Sequence, residues 1–269
     1  MPFTHADALA AAQRSLVAAG THDRDGWIGL FTADGRVEDP VGSAPHRGHP
    51  AIGRFYDTFI APRSISFRPD GDTVVGSIVI RDVELQIEMS SSLTMTVPTY
   101  IRYDMRDERG ELKIAALSAY WELPAMMGRF ARAGLGAVPA GVSLGRTMVA
   151  NQGLGGSLGF LSGFRGLGSG GKALFGRFLD DVCGGDEVGM RRLLSDATLT
   201  LGDSEPVTSS DLVKNLSGGN WSKLIGAGRS VAARIDRDGR RSVLIAEIGA
   251  GTGADRTRIT RLRLFAEVN

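Results

Sequence analysis

Cysteine is nearly absent: Cys183 stands alone in 269 residues. A lone cysteine excludes an intrachain disulfide and a cysteine-based zinc site, and it reads as a small buried residue of a helix. Neither sign of charge is in excess. With 31 basic and 30 acidic residues the formal net charge is +1, which gives no ground for a nucleic-acid partner. No stretch of 18 or more apolar residues is free of charges, so no spanning helix is expected. The segment from Met1 to Ala19 has no basic start, which argues against a secretory leader and makes the cytoplasm the expected location. The most local absence is of acid: none occurs between Glu122 and Asp180, where glycine is dense and the apolar residues are mostly small.

What remains is the composition of a cored protein, 42% hydrophobic and 23% charged, long enough for two domains. His5 to Ala19 carries Ala, Leu and Val at helical spacing, with Thr4 as N-cap and Gly20 as stop. Asp25–Phe31 reads as a short helix, Arg36–Pro40 as extended chain, and Pro50–Ile60 as a helix with Ile52, Phe55, Tyr56 and Phe59 on one stripe. The period then changes to two. Thr73–Arg81, Val83–Ser90, Thr94–Arg106 and Glu111–Leu123 predict strands, with a hairpin turn at Asp107–Gly110. Helices followed by such strands predict an α+β fold: a curved, mostly antiparallel sheet packed by helices. Helices are also read at Pro124–Gly136 and Ser143–Asn151, while 153–171 is too rich in glycine to assign.

After Lys172 the same order of elements returns in shortened form. Helices are expected at Ala173–Cys183, Glu187–Leu194 and Ser209–Leu216, the last capped by Ser209 or Ser210. Strands are expected at Thr198–Leu201, Lys223–Ile235, Ser242–Ala250 and Arg256–Val268. A diverged internal repeat follows, and with it three parts: residues 1–124, a basic, apolar, glycine-rich linker or lid at 125–172, and a second copy at 173–269.

Residues Leu30 to Tyr56 read LFTADGRVEDPVGSAPHRGHPAIGRFY, and Ala119-Tyr120-Trp121 follows the turn at Asp107–Gly110. The phrase VEDPVG, the following AIGRFY and the terminal AYW resemble the ketosteroid isomerases and SnoaL-like proteins of the NTF2-like superfamily, over about residues 5–124. The resemblance implies an open cone, a bent sheet wrapped by helices around an apolar pocket. It implies that Asp39 is the proton-shuttling base, that Tyr56 belongs to the pocket's hydrogen-bond network, and that Trp121 and Phe55 line the pocket. It also exposes departures. The family's oxyanion tyrosine on the first helix falls, counting back from VEDP, on Ser15. Its oxyanion aspartic acid has no counterpart in Pro98–Tyr103, and the strand pattern turns Asp104 away. Tyr56, Tyr100, Tyr103 or Ser15 must then supply the hydrogen bond, the choice depending on strand phase.

The resemblance implies an isomerase acting on a steroid-like or polycyclic ketone; the alternatives are a lipid or steroid carrier without chemistry, and a SnoaL-like cyclase or epoxide hydrolase. An epoxide hydrolase would need a second carboxylate, for which Glu84 and Glu88 are nearest. The expected partner is a hydrophobic small molecule, with no cofactor and no metal. His46 and His49 lack a third ligand. The G-x4-G-K phrase ending at Lys172 is followed by Ala173, which has no hydroxyl for magnesium. The 125–172 segment can contact an anionic membrane surface. The second copy, whose nearest acid is Asp203, is expected to be non-catalytic, and domain pairing is expected either within the chain, with the second copy standing in for a partner subunit, or in a homodimer.

Overall fold

The computed structural model describes residues 3–90, 93–132, 167–194, 196–251 and 257–266, with 142, 146, 150 and 151. The chain divides into two compact units, 1–72 with 77–165, and 73–76 with 166–269. Each holds its own six-stranded sheet.

In the first unit α1 (His5–Gly20) and α2 (Arg24–Gly29) precede β1 (Phe31–Glu38) and the short β2 (His46–Arg47). Helix α3 (Gly48–Phe55) runs into a π-helical turn, Tyr56–Ile60, and four strands follow: β3 (Ser64–Val75), β4 (Ile78–Ser90), β5 (Leu93–Glu108) and β6 (Glu111–Tyr120), then α4 (Leu123–Arg132). The sheet order is β2-β1-β6-β5-β4-β3, antiparallel except for the β1–β6 pair. Thr4 caps α1 as expected, in a reciprocal box with Asp7.

The second unit contains α5 (Gly168–Gly184), α6 (Glu187–Leu194), β7 (Thr198–Leu201), β8 (Glu205–Pro206), α7 (Ser209–Leu216), then β9 (Asn220–Ala227), β10 (Ser230–Arg237), β11 (Arg240–Ala250) and β12 (Thr257–Ala266). Its order, β8-β7-β12-β11-β10-β9 with β7 and β12 parallel, repeats the first sheet strand for strand. This is an α+β protein built of two tandem copies of one plan. Phe175, Phe178 and Leu179 of α5 join Leu244, Ala246 and Leu264 in a single apolar cluster, so the second sheet's helix-covered face is packed with hydrocarbon. Asp203 lies outside that cluster, paired with Arg263.

Several local readings are corrected. Strand β3 begins at Ser64, nine residues before the expected start at Thr73, and the chain turns at Gly76-Ser77 instead of near Asp82. Pro69 and Gly71 look like breakers, but β3 is an edge strand, where one side needs no ladder donor. The single strand expected over Lys223–Ile235 is two strands. Ala227 pairs with Ser230 across a Gly228-Arg229 turn, and Gly228 takes φ +55°. Helix α5 starts at Gly168, five residues before Ala173. Cys183 within it is only partly buried, and burial together with Asp180 pushes its thiol up to about 11. The expected helices at 143–151 and the assignments over 153–166 lie largely outside the described residues.

The cap of α7 is Thr208, not Ser209 or Ser210. Its hydroxyl accepts from the Asp211 amide at 3.1 Å while the Asp211 carboxylate accepts from the Thr208 amide at 2.9 Å. Thr208→Ala removes the hydroxyl that accepts from the Asp211 amide and leaves the backbone half of the box in place. It should destabilise the second unit by about 1 kcal/mol in a urea titration, whereas Ser209→Ala should be close to neutral.

Candidate functional site

The site is set by sheet register. Directly paired residues present their side chains on one face, and faces alternate along a strand. Val79, Tyr103, Leu117 and Val37 are paired in a row across β4, β5, β6 and β1. Asp39 lies two residues beyond Val37, and Trp121 four beyond Leu117, so both continue the same face. Because β1 and β6 run parallel, the chain leaves the sheet at the same end in both. There the Trp121 indole N–H donates to the Asp39 carboxylate.

The loop after β1 is held by several bonds. The Val41 amide donates to the Ala119 carbonyl at 2.8 Å. The Gly42 amide, on a residue with φ +97°, donates to the Glu38 carboxylate at 2.8 Å. The Ser43 hydroxyl donates to the Pro40 carbonyl at 2.7 Å. These bonds hold the loop that carries Asp39. Its side chain retains accessible surface, yet protein surrounds it closely enough that desolvation raises its carboxyl from the usual carboxylate range to about 6, against the opposing Trp121 bond.

Helix α1 covers this face. Ser15 is buried, and its hydroxyl accepts from the Trp27 indole at 3.2 Å. Trp27 packs on the rings of Phe31, Phe55 and Tyr56, with centroids 4.8, 6.1 and 5.5 Å away. Arg81, two residues along β4 from Val79, grips Asp72 through two bonds of 2.7 and 2.8 Å and donates to Gln13 of α1 at 2.6 Å. Tyr103 is fully buried among these groups. Burial first, and the Asp72 and Asp39 charges after it, push its phenol up to about 12, opposed by Ser15 and Arg81.

The expected site residues therefore separate. Asp39, Trp121, Tyr103 and Ser15 share one face of the first unit. Tyr100 is equally buried but pairs with Tyr120 and Asp82 on the opposite face of the sheet. Tyr56 is buried on the π-turn, and the charges acting on it are Asp23, Arg24 and Asp57; Asp39 is not among them. Phe55 sits between Trp27 and His46, its ring 5.2 Å from that imidazole. Glu84 and Glu88 fall on the sheet face opposite Asp39, since they alternate with Arg81 and Val83. The second carboxylate near the site is Asp72, which the sequence reading missed because it lies on the unrecognised first part of β3. The two histidines, one on β2 and one on α3, have separate partners, His46 on Phe55 and His49 donating to the Phe31 carbonyl at 3.0 Å. Among the described residues no three His, Cys, Asp or Glu side chains gather as a metal site.

Residues 12–110 match the family described as SnoaL-like domain. The first unit is accordingly a SnoaL-like domain of the NTF2-like class. Among solved structures, RV0760c from Mycobacterium tuberculosis is 27% identical, with a match covering 44% of this chain and 96% of that one at a TM-score of 0.39. The Delta 5-3-ketosteroid isomerase from Mycobacterium sp. is 29% identical over 45% of this chain and 96% of its own, at a TM-score of 0.40. A putative polyketide cyclase from Sinorhizobium meliloti is 21% identical over 41% of this chain and 93% of its own, at 0.33.

Proposed function

We propose that the first unit is a proton-transfer enzyme acting on a hydrophobic, steroid-like or polycyclic ketone, with Asp39 as general base. The observation that carries this reading is Asp39 itself: a half-buried carboxylate on a hydrogen-bonded loop, with its pKa raised toward neutrality and one indole donor. Desolvation makes a carboxylate a stronger base, and a value near 6 leaves it mostly ionised at pH 7. The base removes a proton from the carbon beside the carbonyl. The C–H electron pair becomes the C=C of an enolate, and the carbonyl π pair moves to oxygen. In a β,γ-unsaturated substrate the protonated Asp39 then returns the proton to the γ-carbon. The β,γ π pair forms the new C–H bond, the O–H pair goes back to the carboxylate, the enolate C=C pair moves to join the α- and β-carbons, and the oxygen pair re-forms C=O to give the conjugated ketone. The Trp121 bond supports the ionised form and aims the oxygen. We assign no chemistry to the second unit, whose helix-covered sheet face is filled by the apolar cluster.

The test is the pH dependence of kcat/KM on a β,γ-unsaturated 3-ketosteroid. The base must be ionised, so activity should fall as pH drops through about 6. The indole bond lowers the Asp39 pKa, so its loss in Trp121→Phe should move that limb to higher pH. Absence of turnover at every pH, with the ketone still bound, would leave a carrier.

A further inference from the structure

The charge of this chain is segregated. Six of the 31 basic residues and none of the 30 acidic ones fall between Glu122 and Asp180, so that stretch is positive while the rest of a nearly neutral chain is negative. The stretch opens with α4, Leu123–Arg132. Met126, Met127 and Phe130 follow Leu123 at i+3, i+4 and i+7, the spacing of an apolar helical stripe, and Arg129 and Arg132 fall outside it. Leu123 is buried, whereas Pro124 and Ala125 are exposed and Met126 is partly exposed, so the helix leaves the core of the first unit as it begins. It also begins at the site: Leu123 is two residues beyond Trp121, whose indole donates to Asp39. Surfaces that face water ordinarily mix both signs of charge. A stretch with arginine, methionine and phenylalanine but no acid has the composition of chain that rests on anionic headgroups, its apolar residues entering the acyl boundary and its arginines meeting the phosphates.

We infer that α4, with the acid-free chain that follows it, docks the first unit on an anionic membrane surface. Charge and hydrocarbon together select that occupant. A nucleic acid would satisfy the arginines and leave the apolar stripe in water. A second copy offers no comparable field, because acids of the first unit are engaged at home: Asp72 with Arg81, Asp57 with Arg24 and Asp34 with Arg106. Among the described residues no helix is long and apolar enough to cross a membrane, and the contact is with the surface. The consequence for the site is direct. A hydrophobic ligand dissolves in the bilayer, and docking through a helix that starts two residues past Trp121 would present the Asp39 loop to it at the surface. The inference stands apart from the proton-transfer reading, since a membrane is recognised here without any ketone.

The experiment sediments the full chain with phosphatidylcholine vesicles, with and without phosphatidylglycerol. Wild type should pellet with the anionic vesicles, and high salt should release most of it, because attraction to the headgroups is screened. Each arginine near such a surface contributes about a fivefold gain in affinity, so Arg129→Gln/Arg132→Gln should weaken binding about 25-fold. Arg14→Gln/Arg68→Gln, at exposed positions of α1 and β3, should leave it unchanged. Insertion is read separately. In Cys183→Ser/Met126→Cys carrying an environment-sensitive fluorophore, emission should shift to the blue on anionic vesicles. The same fluorophore on Cys183→Ser/Arg14→Cys should not respond. The labelled chain with position 126 changed keeps both α4 arginines, so it tests docking even where the arginine pair destabilises the protein. Equal sedimentation with zwitterionic and anionic vesicles overturns the proposal, as does an equal loss of binding from the two arginine pairs. Retention on heparin with a silent probe at position 126 on vesicles also overturns it and makes the stretch a site for a soluble polyanion.

Discussion

Asp39→Asn is expected to lower turnover of a β,γ-unsaturated 3-ketosteroid by about 10²–10⁴ while leaving ketone binding largely intact. The amide keeps the shape of the carboxylate, and its oxygen can still accept from the Trp121 indole. Only the capacity to take a proton is removed. Single-turnover kinetics alongside equilibrium binding separate the possibilities. A carrier would bind the ketone in both forms and turn over in neither, and the variant would bind as well or better, having no charge to bury beside an apolar ligand. Robust isomerisation by the asparagine form would take Asp39 out of the mechanism.

The same substitution should also change stability, with a sign fixed by the direction of the pKa shift. A carboxyl raised from 3.8 to about 6 binds its proton more tightly in the folded than in the unfolded chain. Between those values the folded state holds more protons, so the wild type loses stability from this group as pH rises through that window, and the loss is complete above it. Two pKa units correspond to at most about 3 kcal/mol, reduced by whatever water reaches the accessible part of the side chain. Asp39→Asn removes the titration. Its melting temperature should exceed that of wild type by several degrees at pH 8, and the gap should close as pH falls to about 4, where both chains are neutral at this position. A difference independent of pH would mean that Asp39 is not desolvated as the geometry requires.

Much of this site was legible in the sequence because its pieces are local phrases. VEDPVG gave Asp39 and the rigid turn behind it, and AYW gave Trp121. The bond between them was not legible, since it depends on the parallel pairing of β1 with β6, which joins residues 82 apart. Strand phase decided the tyrosines. Tyr100 and Tyr103 are three residues apart on one strand and so face opposite ways, but only the register with Val79 and Leu117 says which of them meets α1. Asp72 escaped notice for a different reason: Pro69 and Gly71 disguise an edge strand as a loop. Gly228 hid a hairpin because Gly-Ala-Gly offers no change in polarity to mark where one strand ends. In each case the missing information was tertiary, an edge position or a cross-strand partner.

The loop that carries Asp39 is bonded to the Ala119 carbonyl, the Glu38 carboxylate and its own Pro40 carbonyl before any ligand arrives. A ligand entering such a site finds the Asp39 loop already ordered. Its association therefore carries little conformational penalty from that loop, and affinity for different ketones should follow their shape and desolvation. The base meets each of them from one standing orientation, so selectivity among substrates would be settled by which carbon each presents to a fixed point.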